Sequence, residues 1–171
     1  GMYIMGENPF LSDPNTNKVR KALSSLDFLA VQDIFLTETA EFADVILPAS
    51  SYLEKLGTYT NTDRRVQIGR PVIGLPGDAR LDWKIIGELS TRMGYEMNYE
   101  SPKEIFDEFA SLSDSYSTLE YDHLGETGRL WPNADPANED GPVVLFGDGF
   151  PTANGRGKFV AAEWTAAPEL P

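Results

Sequence analysis

Apolar residues come in short runs divided by polar and turn-forming stretches, and the spacing inside each run predicts its conformation. Tyr3-Ile4-Met5 stops at Gly6-Glu7-Asn8-Pro9, the pattern of a strand that runs straight into a loop. Asp13-Pro14-Asn15-Thr16-Asn17 has the make-up of a turn with a helix cap. Val19, Ala22, Leu23 and Leu26 then fall at helical spacing and predict one apolar helix face over 18–26. Phe28-Leu29-Ala30-Val31 reads as a buried strand whose C-terminal end delivers Gln32 and Asp33. A short helical segment is expected near Thr37 to Thr39, and a further apolar run, Val45-Ile46-Leu47, closes on Pro48. Two short apolar runs joined by one small helix predict a βαβ unit of a parallel sheet. Open α/β sheets bind ligands beyond the carboxyl ends of their strands, where Gln32, Asp33 and residues 48–51 would stand.

Further along, residues 51–57 have no decisive period, and 57–61 read as an ordered loop. Residues 64–68 suit a short strand, and 74–79 form a Pro/Gly turn region. Asp82 has the position of an N-cap, preceding Trp83, Ile86, Leu89, Ser90 and Met93 at helical spacing, with Gly94 as the stop. Another helix is expected from Pro102 to about Ser111, with Ile105, Phe106 and Phe109 on its face. Beyond Ser113 turn formers dominate through Gly141, broken by Leu130-Trp131. Residues 143–146 and 158–161 suit a short hairpin across a Gly-rich loop. The expectation is an α/β domain over 1–112 followed by an irregular extension over 113–171.

Composition narrows the chemistry. Fourteen Lys and Arg against 27 Asp and Glu give a net charge of −13, which repels nucleic acid and anionic membranes. Such acidity suits a salt-rich cytoplasm. The 171 residues include no cysteine, so this chain can hold no disulfide, thiolate–metal site or iron–sulfur cluster. No apolar run approaches the roughly 20 residues needed to span a bilayer. Gly1-Met2 resembles a cloning remnant, and the start directly at a strand predicts structure upstream of it.

Candidate functional residues are polar groups at loop positions. His123, the one histidine, lies in the irregular tail, and no Ser–His–Asp set, carboxylate pair or His-rich metal site can be assembled. Gly155-x-Gly157 sits between turns and is no dinucleotide fingerprint. Asp33 and Asp82 could each accept two hydrogen bonds from a guanine edge, whose ring N–H and amino group form a paired donor. Equally, Asp33 could be a strand-end cap and Asp82 a helix cap. Asn8 and Ser12 could bind ribose or phosphate oxygens, or simply serve a turn. Lys55 and the pair Arg64-Arg65 could neutralise phosphate, or stand solvated or paired with acids.

Three segments carry a family resemblance: YIMGENP, QDIFLTETAEFADVILPASSYLEKLGTYTNTDRR and DARLDWKIIGELSTRMGY. Together they resemble the molybdopterin oxidoreductases, most of all the catalytic subunits of formate dehydrogenases. FPTANGRGKF is similar to the stretch before that family's C-terminal barrel, so the likeness covers nearly the whole chain. It implies a Rossmann-like three-layer parallel sheet, part of the family's third domain, with 113–171 a connector to the barrel. It also implies a bis(molybdopterin guanine dinucleotide) cofactor carrying molybdenum or tungsten. By position the family's guanosine-binding pair matches Gln32-Asp33, and its guanine-binding Asp matches Asp82. Its loop contacts match Asn8 and Ser12, and a lysine used by related nitrate reductases matches Lys55. Thr37, Thr39 and Glu7 are further candidates.

The family's cysteine or selenocysteine metal ligand, its formate-handling His and Arg, and its 4Fe-4S motif have no counterpart here. The resemblance therefore implies a cofactor-binding fragment, inactive alone. Its partners would be the remaining domains of the subunit and electron-transfer subunits. Two alternatives remain at this point. One is a non-catalytic relative such as the large iron–sulfur subunit of NADH dehydrogenase; the other is a stand-alone α/β binding module.

Overall fold

A computed structural model of the chain describes residues 1–133, 138 and 140–166. Its first half is built on β1 (Met2–Met5), β2 (Leu29–Asp33) and β3 (Val45–Pro48), which pair in that order and in parallel. Two helices, α1 (Pro9–Ser12) and α2 (Thr16–Ser24), link β1 to β2. Pro9 opens α1, and Asn15 caps α2 by accepting from the Lys18 amide at 3.1 Å. Asn15 does so in the left-handed region, at φ 63°, which an Asn tolerates better than most side chains.

Alternation along the strands sorts the sheet's two faces. Ile4, Leu29 and Val31 point to one side, where Leu23 of α2 and Ala40 complete a buried cluster. Tyr3 and Gln32 lie diagonally on the other side, since Tyr3 is paired with Ala30 and Met5 with Gln32. The helix expected near Thr37 to Thr39 is only a single 3₁₀ turn at Ala40–Phe42. Eleven residues between β2 and β3 leave little room for more, and Thr39 is used as an anchor for Asn8 and the Phe10 amide. Val45 and Ile46 of β3 remain 39% and 42% exposed, so this apolar run lies against little among the described residues.

The second half contains an antiparallel sheet, β4 (Gly57–Thr60), β5 (Arg65–Gly69) and β6 (Arg129–Leu130). Residues 57–61, expected as a loop, are thus mainly a strand. Thr58, Tyr59 and Thr60 favour an extended backbone, but the partner across the Asn61 turn is what fixes it. The Asn61 carboxamide closes that turn by accepting from the Arg65 amide at 2.9 Å.

α3 (Asp82–Arg92) and α4 (Pro102–Leu112) follow. α4 starts with a side-chain cap: the Ser101 hydroxyl accepts from the Glu104 amide, and the Glu104 carboxylate accepts from the amide of Glu100, one residue before the cap. The buried residues of α3 are Ile85 and Gly87, whereas Leu89 and Met93, assigned from sequence to the inner face, are 40% and 80% exposed. Gly87 is buried because the Met97 carbonyl lies 3.0 Å from where its β-carbon would be.

A second core joins Val66, Phe106, Ala110, Leu119, Tyr121 and Leu124, with Trp131 packed against it. Packing therefore crosses residue 113. Gly128, at φ 74°, lets the returning chain approach β5: a β-carbon there would meet the Val66 carbonyl at 2.5 Å. The hairpin expected from 143–146 and 158–161 does not form. Phe146 turns at φ 59° and its ring stacks on Phe150 at 5.1 Å, while residues 158–161 have no strand partner.

Arg64 holds this returning segment. Its guanidinium donates to the Trp131 carbonyl at 2.6 Å and to the Pro142 and Val143 carbonyls at 2.9 and 3.1 Å. Arg65 donates likewise to the Thr127 carbonyl at 3.2 Å. The arginine pair is therefore engaged with backbone oxygens, and Arg65 also lies 3.8 Å from the Asp63 carboxylate. Replacing Arg64 by Met strands three carbonyls and should cost about 1–3 kcal/mol, read as a lower urea midpoint at unchanged slope. An unchanged midpoint would show that the arginine holds nothing.

A carboxylate cluster at the strand ends

β2 and β3 end side by side, with Asp33 paired to Pro48. Gln32, fully buried, occupies the end of β2 on the Tyr3 side of the sheet. Its carboxamide has one available orientation: the Tyr3 hydroxyl donates to Oε1, and Nε2 donates to Asp82 Oδ1 at 2.9 Å. Past β3, Ser50 is also buried, and its hydroxyl donates to Asp82 Oδ2 at 2.7 Å. Arg80 brings the start of α3 into range: its amide donates to the Pro48 carbonyl at 3.0 Å, forming a one-residue parallel bridge beside β3. Lys55, in the link to β4, donates to the Ser50 carbonyl at 2.9 Å and pairs with Asp82 Oδ2.

Asp82 is consequently not the N-cap. Leu81 takes that place without a side-chain capping bond, and the Asp82 carboxylate turns towards the strand ends. The requirement of three nearby donors for an acceptor outweighs a cap worth about 1 kcal/mol. Burial alone would raise its pKa. Hydrogen bonds from Lys55, Ser50 and Gln32, with the Lys55 charge, overcome this and hold the carboxyl below the ordinary 3.8. Its position in the first turn of α3 adds a favourable helix dipole. Burial, reinforced by the Asp82 charge, raises the Tyr3 phenol above its usual value.

Asp33 and Asp82 line one cleft of about 270 Å³, together with Gln32, Ser50, Ser51 and Lys55. Asp33 Oδ1 accepts from the Ile34 amide at 2.7 Å. Asn8 and Ser12 are not walls of this cleft. Asn8 is a clamp between loops: it donates to Glu38 at 2.8 Å, and its oxygen accepts from the Thr39 hydroxyl at 2.7 Å. Thr39 is wholly buried and in turn accepts from the Phe10 amide at 3.1 Å. Asn8 also holds the Glu38 carboxyl below its ordinary pKa. Ser12 donates to Glu7 at 3.1 Å on the surface, and Thr37 accepts weakly from the Ala40 amide at 3.4 Å. His123 is paired with Glu120 at 3.1 Å, both exposed. Among the described residues no three metal-ligating side chains gather. The arrangement presents a fixed carboxylate acceptor at the strand ends, with the Lys55 ammonium beside it.

Sequence reasoning missed Tyr3 and Ser50. Tyr3 was legible only once the parallel register was known, because that register alone sets its ring beside Gln32. Ser50 lay inside the strand-end segment without any mark of its own.

The sequence profile described as molybdopterin oxidoreductase matches residues 1–92, more than half of the chain. This chain belongs to that family. The F420-dependent formate dehydrogenase subunit alpha of Methanocaldococcus jannaschii is 49% identical over 99% of this chain and 25% of its own length. Formate dehydrogenase H of Escherichia coli is 42% identical over 96% of this chain and 23% of its own. Among solved structures, acetylene hydratase from Pelobacter acetylenicus superposes with a TM-score of 0.59 at 22% identity. That match covers 75% of this chain and 18% of the hydratase, and it shows a likeness of fold alone. The chain spans between 16% and 25% of the length of these and other curated relatives it matches.

The lowered pKa of Asp82 sets a pH signature. Its ionised form contributes stability in full above the ordinary 3.8, and the contribution is lost as pH falls below 3.8 through the folded-state value. The melting-temperature gap between wild type and Asp82→Asn should thus shrink as pH drops from 6 to 3. A gap constant across that range would mean that the carboxylate is unpaired in solution.

Proposed function

We propose that this chain is the guanine dinucleotide-binding part of a formate dehydrogenase-like molybdopterin oxidoreductase. The observation that carries the reading is Asp82, an ionised carboxylate held rigidly in the strand-end cleft that Asp33 shares. A guanine edge offers two adjacent donors, and a fixed carboxylate is their natural acceptor. Gln32 and Ser50 orient that carboxylate, and Lys55 supplies positive charge for a phosphate. Asn8 and Thr39 hold together the loops after β1 and β2, which meet the cleft at Gly6 and Ile34.

Within the whole enzyme the cofactor would be bis(molybdopterin guanine dinucleotide) with molybdenum or tungsten. When bound, its metal supplies the two-electron redox chemistry that turns formate into carbon dioxide. This chain's residues would bind the nucleotide tail and fix its direction, so that the metal end is held by other domains. Those domains, one of them carrying a 4Fe-4S cluster, would cover the exposed apolar edge at Val45 and Ile46. Electron-transfer subunits would complete a cytoplasmic enzyme. In that setting residues 1–112 would be part of a Rossmann-like three-layer domain, and 113–171 the connector to a barrel. No helix of the described residues is long and apolar enough to cross a membrane.

Titration calorimetry with guanosine, inosine and adenosine diphosphates tests base recognition. Guanosine diphosphate should bind best; loss of the 2-amino group in the inosine form should cost about tenfold. Asp82→Asn should erase the guanine preference. Equal affinity for all three nucleotides in the wild type would overturn the reading. Formate-dependent dye reduction by this chain alone should be absent, and genuine turnover would refute the division of labour.

A further inference from the structure

Counting lone pairs on Asp82 leads beyond the proposed guanine site, on which the following inference rests. A carboxylate has about four acceptor positions, two per oxygen. Oδ1 accepts from Gln32, leaving one position. Oδ2 accepts from Ser50 and from Lys55, leaving none. A guanine edge needs one acceptor on each oxygen, because its ring N–H and amino group point the same way side by side. In the free chain the site is therefore one position short.

One donor has to leave. Gln32 is fully buried and Ser50 is 2% exposed, each fixed by the strand that carries it. The Lys55 side chain is 25% exposed, sits in the link before β4, and has a flexible four-carbon stem. Among the described residues its ammonium donates to the Ser50 carbonyl besides Asp82. Lys55 is the donor that can move without disturbing a strand.

We propose that Lys55 is an exchangeable counter-ion that couples base recognition to phosphate recognition. With no ligand it fills Oδ2 of Asp82; when a guanosine phosphate binds, the guanine edge takes that position and the ammonium moves to the phosphate. A ligand with both parts replaces each interaction it breaks. A ligand with the base alone displaces Lys55 and gives it nothing in return. Lys55 thus disfavours guanine nucleosides without phosphate and favours the phosphorylated forms.

The consequence is a crossing of affinities, measured by titration calorimetry of the 171-residue chain against guanosine and guanosine diphosphate. Lys55→Met frees Oδ2, so guanosine should bind about threefold tighter. The same variant removes the phosphate's partner, so guanosine diphosphate should bind about threefold weaker. Lys55→Gln gives the same comparison should Lys55→Met fail to fold. Weaker binding of both ligands, or an unchanged guanosine affinity, would overturn the exchange while leaving guanine recognition standing if guanosine diphosphate still outcompetes adenosine diphosphate. No preference for guanine in any form of the chain would overturn both.

Discussion

A carboxylate drawn out of bulk water has to be surrounded by donors, and Asp82 is where this requirement governs the molecule. Tyr3 of β1 orients Gln32 of β2, and Gln32 donates to Asp82. Ser50 reaches it from beyond β3, and Lys55 from the link into the antiparallel sheet. One side chain at the start of α3 thereby ties three parallel strands to the helix that follows β5. The geometry of the cleft is a by-product of that tie. The same donors that stabilise the charge leave its remaining acceptor capacity aimed at the strand ends.

The two sheets divide the labour. The parallel sheet is buried on one face by α2 and presents the other to Asp82, so it positions the site. The antiparallel sheet packs on α4 and on residues 119–131 around Phe106, Tyr121 and Leu124. Arg64 and Arg65 belong to this second part. Their carbonyl contacts make the segment after α4 part of the folded body, although its composition is that of a loop.

Short-range patterns were readable where local chemistry decides. The parallel strands followed from their apolar runs, α2 from its spacing and the turn-and-cap stretch 13–17, and α4 from Pro102 and the apolar spacing of Ile105, Phe106 and Phe109. What escaped depended on partners distant in sequence. Thr58 to Thr60 became a strand because β5 lies opposite, and the predicted face of α3 shifted because Met97 packs over Gly87. At the site, Asp33 and Asp82 could be nominated from sequence, and they do share a cleft. That Asp82 would forgo its cap for Gln32, Ser50 and Lys55 could not be foreseen. Asn8 was nominated from sequence as either a ribose or phosphate contact or a turn residue, and its bonds to Glu38 and Thr39, about thirty positions further along, had no local signal.

A crystal structure of this chain with guanosine diphosphate bound tests the central claim most directly. The base should lie in the strand-end cleft, with its ring and amino nitrogens about 3 Å from the two Asp82 oxygens. It would be contradicted by a base lodged instead in the neighbouring apolar hollow between Tyr59, Trp83 and Phe109, with Asp82 making no contact to it.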